Sequence, residues 1–382
     1  MRVFIVARGY PTKEYPTNGI FEYDQAKALA ALGHEVIYIA LDMRSIRRRR
    51  KLGFVSLDRD RVHIEAINIP VSNFSHALTR YTREKALRRL YRRCVKKYGK
   101  PDVIHAHFQE FGYTTARTLR DEAVPLIMTE HLSKLINDEF NQELKTLGDK
   151  TYRYYDRVLA VSNALAASLH EKFGVKAQVI PNIADLESFR YRKERAKDHQ
   201  KPPFRILSVG NLKKVKRMND LINAFALFHA DYPDAELCII GGGPEHDALQ
   251  RLIEELRLGG CVRLAGRKPR QEIAAAMEES DCFALFSRSE TFGVAFIEAI
   301  SMGLPVIATR CQGPEDFIND ENGVMVDVGD IGAMKEAFAY MAQHRADYDA
   351  GMISRKINET FSPQIIARQI EAVYQAALSK KD

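Results

Sequence analysis

The chain of 382 residues has no run of about 20 uninterrupted apolar residues, the length a membrane-crossing helix needs, so no transmembrane segment is expected. Its opening residues, MRVFIVARGY, are broken by Arg8 and lack the apolar core and cleavage site of a secretory leader, so they are expected to form a first strand. Cysteine is scarce. Cys94, Cys238, Cys261, Cys282 and Cys311 are odd in number, form no CxxC pair and mostly sit in apolar segments. This excludes a disulfide framework and a thiolate metal site, and buried reduced thiols in a cytosolic protein are the expectation. There is no low-complexity tract and no repeat of solenoid period. A length of 382 residues is too great for one ordinary core and predicts two domains.

Apolar residues make up 46% and charged residues 28%, as in a globular protein. The net charge of +7 is unevenly placed: between Met43 and Lys100 there are 18 Lys and Arg against 4 Asp and Glu. Short apolar runs alternate with amphipathic stretches. In the first half strands are predicted at 2–7, 35–41, 63–68, 102–106, 125–129, 157–161 and 177–180, with helices at 20–32, 83–98, 112–120 and 163–173. In the second half strands are predicted at 204–209, 236–240, 261–265, 281–285, 305–308 and 323–326. Helices there fall at 218–230, 245–256, 270–278, 294–301 and 331–344, and a last helix spans 363–378. The alternation implies an α/β protein with two parallel sheets covered on both faces. The polar, charged stretch 183–203 reads as a linker. Ligands of open α/β sheets sit at the carboxyl ends of the strands, so the residues following each strand carry the functional argument.

The strongest pattern is SRSETFGVAFIEAISMGLPVIAT, residues 287–309. A buried strand runs into a loop bearing Glu290, and a helix begins near Gly293. Gly293 permits close backbone approach, and the amides of Phe292, Gly293 and Val294 are helix-start donors suited to a diphosphate. Glu298, about one turn into the helix, faces the ligand if Ala295, Ile297 and Ile300 face the sheet, and a carboxylate there suits ribose hydroxyls. Read without further context, the same residues are equally a helix cap and a surface glutamate. In DVIHAHFQE, His105 and His107 alternate along one strand face. They are either buried hydrogen-bonded histidines or half of a metal site for which no third ligand is spaced. MTEH places Glu130 and His131 at the end of the next strand. The triplet Gly241, Gly242 and Gly243 follows a strand but does not form GxGxxG.

Together, Glu290-x7-Glu298 in its Gly-rich frame, YPTNGIFEYDQAKALAALGHEV (15–36), IPNIADLESF (180–189), VGNLKKVKR (209–217), IIGGGPE (239–245) and CQGPEDFINDENGVMV (311–326) resemble glycosyltransferase family 4 over nearly the whole chain. The resemblance implies the GT-B fold: two facing Rossmann-like domains with a cleft between them. The first domain would span 1–185 and the donor domain 186–361, with the helix of 362–382 packing back on the first. It implies an enzyme that moves a hexose-type sugar from a nucleotide-sugar to a glycan or lipid-linked glycan in cell-surface polysaccharide assembly. UDP is favoured, and GDP remains open. Retention would come from front-face displacement without a covalent intermediate. His107, Glu290 and Lys216 would carry catalysis, with Lys216 on the donor diphosphate. Gly19, Asn211, Gly242, Arg267, Glu290, Phe292, Gly293, Val294 and Glu298 would line the donor; His131 and Glu130, from their place at the end of a strand, are expected to face the cleft on the acceptor side. Asn211 stands where the family usually has an arginine, which puts part of the diphosphate grip in doubt; Lys213 or Lys214 would compensate.

No DxD motif sits in a donor loop, so no cofactor and no divalent metal are expected. On the basic segment 80–100, Leu87, Leu90, Tyr91, Cys94, Val95 and Tyr98 form a helical stripe expected to be core. Its outward arginines, with those of 44–54, are either a solvated face or a peripheral contact with anionic lipid on the inner face of the plasma membrane. Nucleic acid is not an expected partner, because aromatics for stacking are few. The competing readings are a non-catalytic nucleotide-sugar-binding protein and a GT-B sugar-nucleotide epimerase.

Overall fold

The structure, a computed structural model, describes residues 1–45, 47–71, 76–192 and 203–379. The chain divides into two compact units, Met1–Ile183 with Pro363–Asp382, and Ala184–Ser362.

The first unit is built on an eight-stranded sheet. Its strands are β1 (Arg2–Ala7), β2 (Glu35–Asp42), β3 (Gly53–Arg59), β4 (Val62–Asn68), β5 (Val103–His107), β6 (Leu126–Glu130), β7 (Arg157–Ala160) and β8 (Gln178–Val179), in the order β3-β4-β2-β1-β5-β6-β7-β8. All neighbours are parallel except β3, which pairs antiparallel with β4 at the edge. β3 was absent from the expected elements. It lies in the basic segment and its side chains are at most half-buried, so its apolar signal is weak. The period of two in β1 explains why the run VFIVA is apolar throughout. Val3, Ile5 and Ala7 enter one core, and Phe4 and Val6 the other.

On the first face lie helix α1 (Ile20–Ala31) and the last helix, α12 (Pro363–Leu378). α12 supplies Ile366, Ile370, Val373, Tyr374 and Ala377 at helical spacing. On the second face lie α2 (His76–Tyr98) and α3 (Gln109–Leu119). The expected stripe of α2 is confirmed as core: Leu87, Leu90, Tyr91 and Cys94 are buried and Val95 and Tyr98 pack at the margin. Helices α4 (Gln142–Asp149) and α5 (Asn163–Phe173) complete the unit, and Ser162 caps α5 by accepting from the Leu165 amide.

The second unit has strands β9 (Arg205–Val209), β10 (Glu236–Ile240), β11 (Val262–Leu264), β12 (Cys282–Leu285), β13 (Val306–Thr309) and β14 (Gly323–Val326), all parallel, in the order β11-β10-β9-β12-β13-β14. Counted within the unit this is 3-2-1-4-5-6, the doubly wound Rossmann arrangement, with its strand order reversing between β9 and β12. Helices α6 (Met218–Asp231), α7 (His246–Glu255), α8 (Arg270–Glu278), α9 (Val294–Ser301), α10 (Ile331–His344) and α11 (Ala350–Phe361) surround it.

The expected linker needs correction in its first part. Ala184, Leu186 and Phe189 are buried, the Ser301 hydroxyl donates to the Phe189 carbonyl, and Arg270 pairs with Asp185 at 3.1 Å. The apolar residues embedded among the charges dock this stretch on the second unit. The remainder, 193–202, and Ile46 of the 44–54 basic stretch lie outside the described residues, as do 380–382 of the expected last helix. No helix among the described residues is long and apolar enough to cross a membrane.

Candidate active site

In the second unit the strand order reverses where the loops after β9 and β12 meet. The loop after β9 ends in a 3-10 turn, Lys214–Lys216, and the loop after β12 runs from Phe286 to Gly293. They are tied by the Arg288 amide, which donates to the Val215 carbonyl at 2.7 Å. This brings Lys216 and Glu290, 74 positions apart, into a partly exposed ion pair, Lys216 Nζ donating to Glu290 Oε1. The Ser287 hydroxyl donates to the same oxygen at 2.7 Å. The Glu290 backbone is fixed as well. Its amide donates to the Cys311 carbonyl and its carbonyl accepts from the Gly313 amide, both at 2.9 Å. A Cβ on Gly313 would lie 2.5 Å from the Phe292 nitrogen, so only glycine lets the two loops pack this closely.

Gly293, left-handed at φ 98°, starts α9. No acceptor among the described residues takes the amides of Phe292, Gly293 and Val294, so this helix start has donors for an anion. The face of α9 differs from expectation. Phe296, not Ala295, joins Ile297, Ala299 and Ile300 in the core, and Phe296 packs edge-on against Phe283 of β12. Glu298 and Ala295, three residues apart, are both half-buried on the remaining face. The Phe292 ring is buried against Phe317 and Phe361 and anchors the loop.

The glycine triplet is a packing device. A Cβ on Gly241 would fall 1.8 Å from the Gly210 carbonyl oxygen, and one on Gly243 2.3 Å from that of Leu212. The loop after β10 therefore lies directly on the loop after β9, joined by Leu212 donating to the Gly242 carbonyl. Arg267 is exposed and lays its side chain across Gly242. Asn211, Lys213 and Lys214 are exposed beside Lys216.

In the first unit the order reverses at β1 and β5. Gly19 (φ 69°) ends the loop after β1, and a Cβ there would meet the Gly9 carbonyl at 2.2 Å. The buried Tyr38 hydroxyl bonds the carbonyls of Gly9 and Gly19 at 2.8 and 3.0 Å and closes that loop. His105 and His107 stack at 4.6 Å and are both fully buried. His105 is bonded to Tyr374 of α12 and to Thr129, each at 2.7 Å. His107 Nδ1 and His131 Nε2 are 2.9 Å apart, and Gln25 Nε2 lies 3.5 Å from His107 Nε2. Burial foremost, with the Arg8 charge, pushes His107 down to about 3, so this imidazole is neutral. With Gln25 donating to Nε2, His107 must donate from Nδ1 to His131. The histidines thus bond to one another and to neighbouring side chains; no group of three or more His, Cys, Asp or Glu among the described residues is arranged to hold a metal.

Glu130 is the second residue expected on the acceptor side. It is wholly buried, accepting from the amides of His131 and Leu132 through one oxygen and from the Tyr152 hydroxyl through the other. These bonds tie the end of β6 to the following loop and to Tyr152, and strand alternation sends the Glu130 side chain to the opposite face from Thr129. The residues the sequence did not suggest are Arg8, Phe21, Glu22 and Phe108. The Arg8 guanidinium lies 4.2 Å from the Phe108 ring centre, and Phe21 and Phe108 flank His131. Arg8 was legible only as the first charge after an apolar strand.

Residues 190–356 match the family model described as "Glycosyl transferases group 1", and residues 21–188 match "Glycosyltransferase Family 4". The chain is 26% identical over 291 residues to N-acetyl-alpha-D-glucosaminyl L-malate synthase of Bacillus anthracis, covering 72% of this chain and 75% of the relative. It is 28% identical over 291 residues to the putative colanic acid biosynthesis glycosyltransferase WcaL of Escherichia coli K12, covering 72% and 70%. Among solved structures, Anabaena HepE in complex with UDP-glucose superimposes with a TM-score of 0.75 at 19% identity, over 98% of this chain and 100% of that one. Two parallel doubly wound sheets, the loops gathered at their strand ends and these matches agree: the chain belongs to glycosyltransferase family 4 and has the GT-B fold.

Proposed function

We propose that this glycosyltransferase moves a hexose-type sugar from a UDP-sugar, or from a GDP-sugar, to a glycan or lipid-linked glycan of a cell-surface polysaccharide, with retention. The observation that carries the donor side is the joining of Lys216 and Glu290 beside the open amides of the α9 start. A diphosphate placed on those amides meets a lysine charge and the positive end of a helix. Glu298 would take the ribose hydroxyls and Glu290 the sugar. In front-face displacement the C1–O bond to the diphosphate breaks as the acceptor oxygen bonds C1 on the same face. The acceptor proton passes to a leaving phosphate oxygen. The protein positions the reactants and stabilises the growing phosphate charge. His107, oriented through His131, would line the first-unit side, and His131 would approach the acceptor. No divalent metal is assigned, because Lys216 and the helix start supply the positive charge. HepE's complex with UDP-glucose and WcaL's colanic acid assignment support the donor class and the pathway type.

Exposed Lys85, Arg88, Arg89, Arg92, Arg93 and Lys96 on α2, near exposed Leu78 and Tyr81, support peripheral contact with anionic lipid at the cytoplasmic face. Failure to bind anionic liposomes at low salt would remove that part.

The test of the donor site is thermal stabilisation by UDP, GDP, ADP and dTDP in the presence of EDTA. A shift with UDP or GDP that Glu298→Ala abolishes is expected. No shift with any nucleotide would favour a non-catalytic protein, the one reading that exposed Asn211 favours.

A further inference from the structure

Arg8 follows β1 directly, at the carboxyl edge of the central strand where the first sheet's order reverses. Its side chain is 38% exposed, while its partner Glu22, in the first turn of α1, is completely buried. The pair is loose: Arg8 Nε stands 3.4 Å from Glu22 Oε1, and the Glu22 carboxyl otherwise has only weak contacts with the backbone amides of Arg8 and Glu22. A carboxylate so weakly bonded is costly to bury, and here it is paired with one arginine nitrogen. The two terminal nitrogens of Arg8 have no hydrogen-bond partner among the described residues, and the planar group rests on the half-exposed Phe108 ring. Phe108 itself sits at φ 63°, ψ 142°, a backbone conformation that strains a non-glycine residue. Other cations gather on the adjoining loop of residues 9–19. Arg44 and Arg48 lie over Tyr15 at 4.4 and 5.7 Å, and Arg59 donates to the Pro11 carbonyl at 3.1 Å.

We propose that Arg8, steadied by Glu22 below and Phe108 beside it, binds an oxyanion carried by the acceptor, a phosphate or a carboxylate, at the carboxyl edge of the first sheet. A guanidinium with two free donors takes such a group in fork geometry. Glu22 is its positioning residue: it holds the arginine by charge and leaves the hydrogen-bonding edge open. The proposal rests on the transferase reading and names the acceptor class that reading leaves open.

The test uses the full chain carrying Lys216→Ala, which removes the donor-side cation from the measurement. Inorganic phosphate and malonate are titrated calorimetrically at physiological ionic strength, where exposed arginines of α2 are screened. Adding Arg8→Gln is expected to weaken binding of at least one probe about tenfold or more. A selective loss for phosphate assigns a phosphorylated acceptor, and one for malonate a carboxylate-bearing acceptor. Because Arg8→Gln leaves Glu22 unpaired, the double change Arg8→Met with Glu22→Met serves as the second variant. It removes both charges together and is expected to lose the same binding. Unchanged or absent binding of both probes across these proteins overturns the proposal. UDP binding by the otherwise native chain, measured separately, shows whether the transferase reading itself stands.

Discussion

The two strand-order reversals place polar residues in opposite electrostatic states. At β9 and β12 the side chains are charged, partly exposed and paired: Lys216 with Glu290, backed by Ser287 and by loops locked through backbone bonds. At β1 and β5 they are buried. His105, His107 and His131 are held neutral chiefly by burial, with Glu22 and Glu130 pushed upward by the same cause. One unit has organised its edge by ion pairing near solvent, the other by desolvation. A charged edge suits a highly charged diphosphate. An edge of prearranged neutral histidines suits orientation of uncharged hydroxyls, and the Arg8–Glu22 pair adds an outward-facing cation to it.

The largest expected effect separates the two edges. Lys216→Ala should lower the rate of sugar transfer about 10²–10³-fold, as loss of one stabilising donor to developing charge does. Nucleotide release followed with a supplied acceptor measures it. A loss of less than threefold would mean that the charged edge is not where the phosphate charge is stabilised.

A smaller effect is expected from the loop packing that makes the charged edge rigid. Gly241→Ala places a methyl 1.8 Å from the Gly210 carbonyl, so the backbone must move, at a cost of about 1–3 kcal/mol. A urea unfolding midpoint lowered together with UDP affinity would show that loop contact and donor grip are one feature. Unchanged values for both would show that the triplet is dispensable.

The smallest effects come from titration, and they have opposite signs. His107 is lowered from 6.5 to about 3, so the unfolded chain binds its proton first and stability falls as pH drops from 6.5 towards 3. His107→Gln should make that fall shallower. Glu130 is raised from 4.5 to about 7, so the native chain holds the extra proton and stability falls as pH rises from 4.5 to 7. Glu130→Gln should flatten that limb, each change being on the order of 1 kcal/mol or more. Denaturant midpoints across pH 3–8 test both, and identical profiles in the variants would refute desolvation as the organising force of the first edge.

The parallel strands were legible because both of their faces are covered and their apolar runs are continuous. Helices with a strong start, such as α9 behind Gly293 and α12 behind Pro363, were legible from local chemistry. Three elements were not. β3 is an edge strand in a basic stretch, α4 buries little, and α11 has its apolar residues hidden among charges. The buried face of α9 takes in Phe296 rather than the expected Ala295, because a single residue of helical phase separates the two and Phe296 meets Phe283. Arg50 reads as part of a surface run, yet its side chain is 6% exposed. It pairs with buried Asp42 and bonds the carbonyl of Arg44 at 2.6 Å. Composition carries no sign of such a partner.

From sequence alone came the two-unit α/β organisation, the strand ends that bear Glu290, Lys216 and His107, and the family resemblance. The first two depend on local periodicity and spacing and the resemblance on matched motifs, all of which survive without knowledge of the fold. Only the tertiary structure decided which groups are charged and which are neutral. Ionisation depends on how much water and which opposite charge each side chain keeps, and folding supplied both when it set Lys216 against Glu290 and enclosed His107 and Glu130.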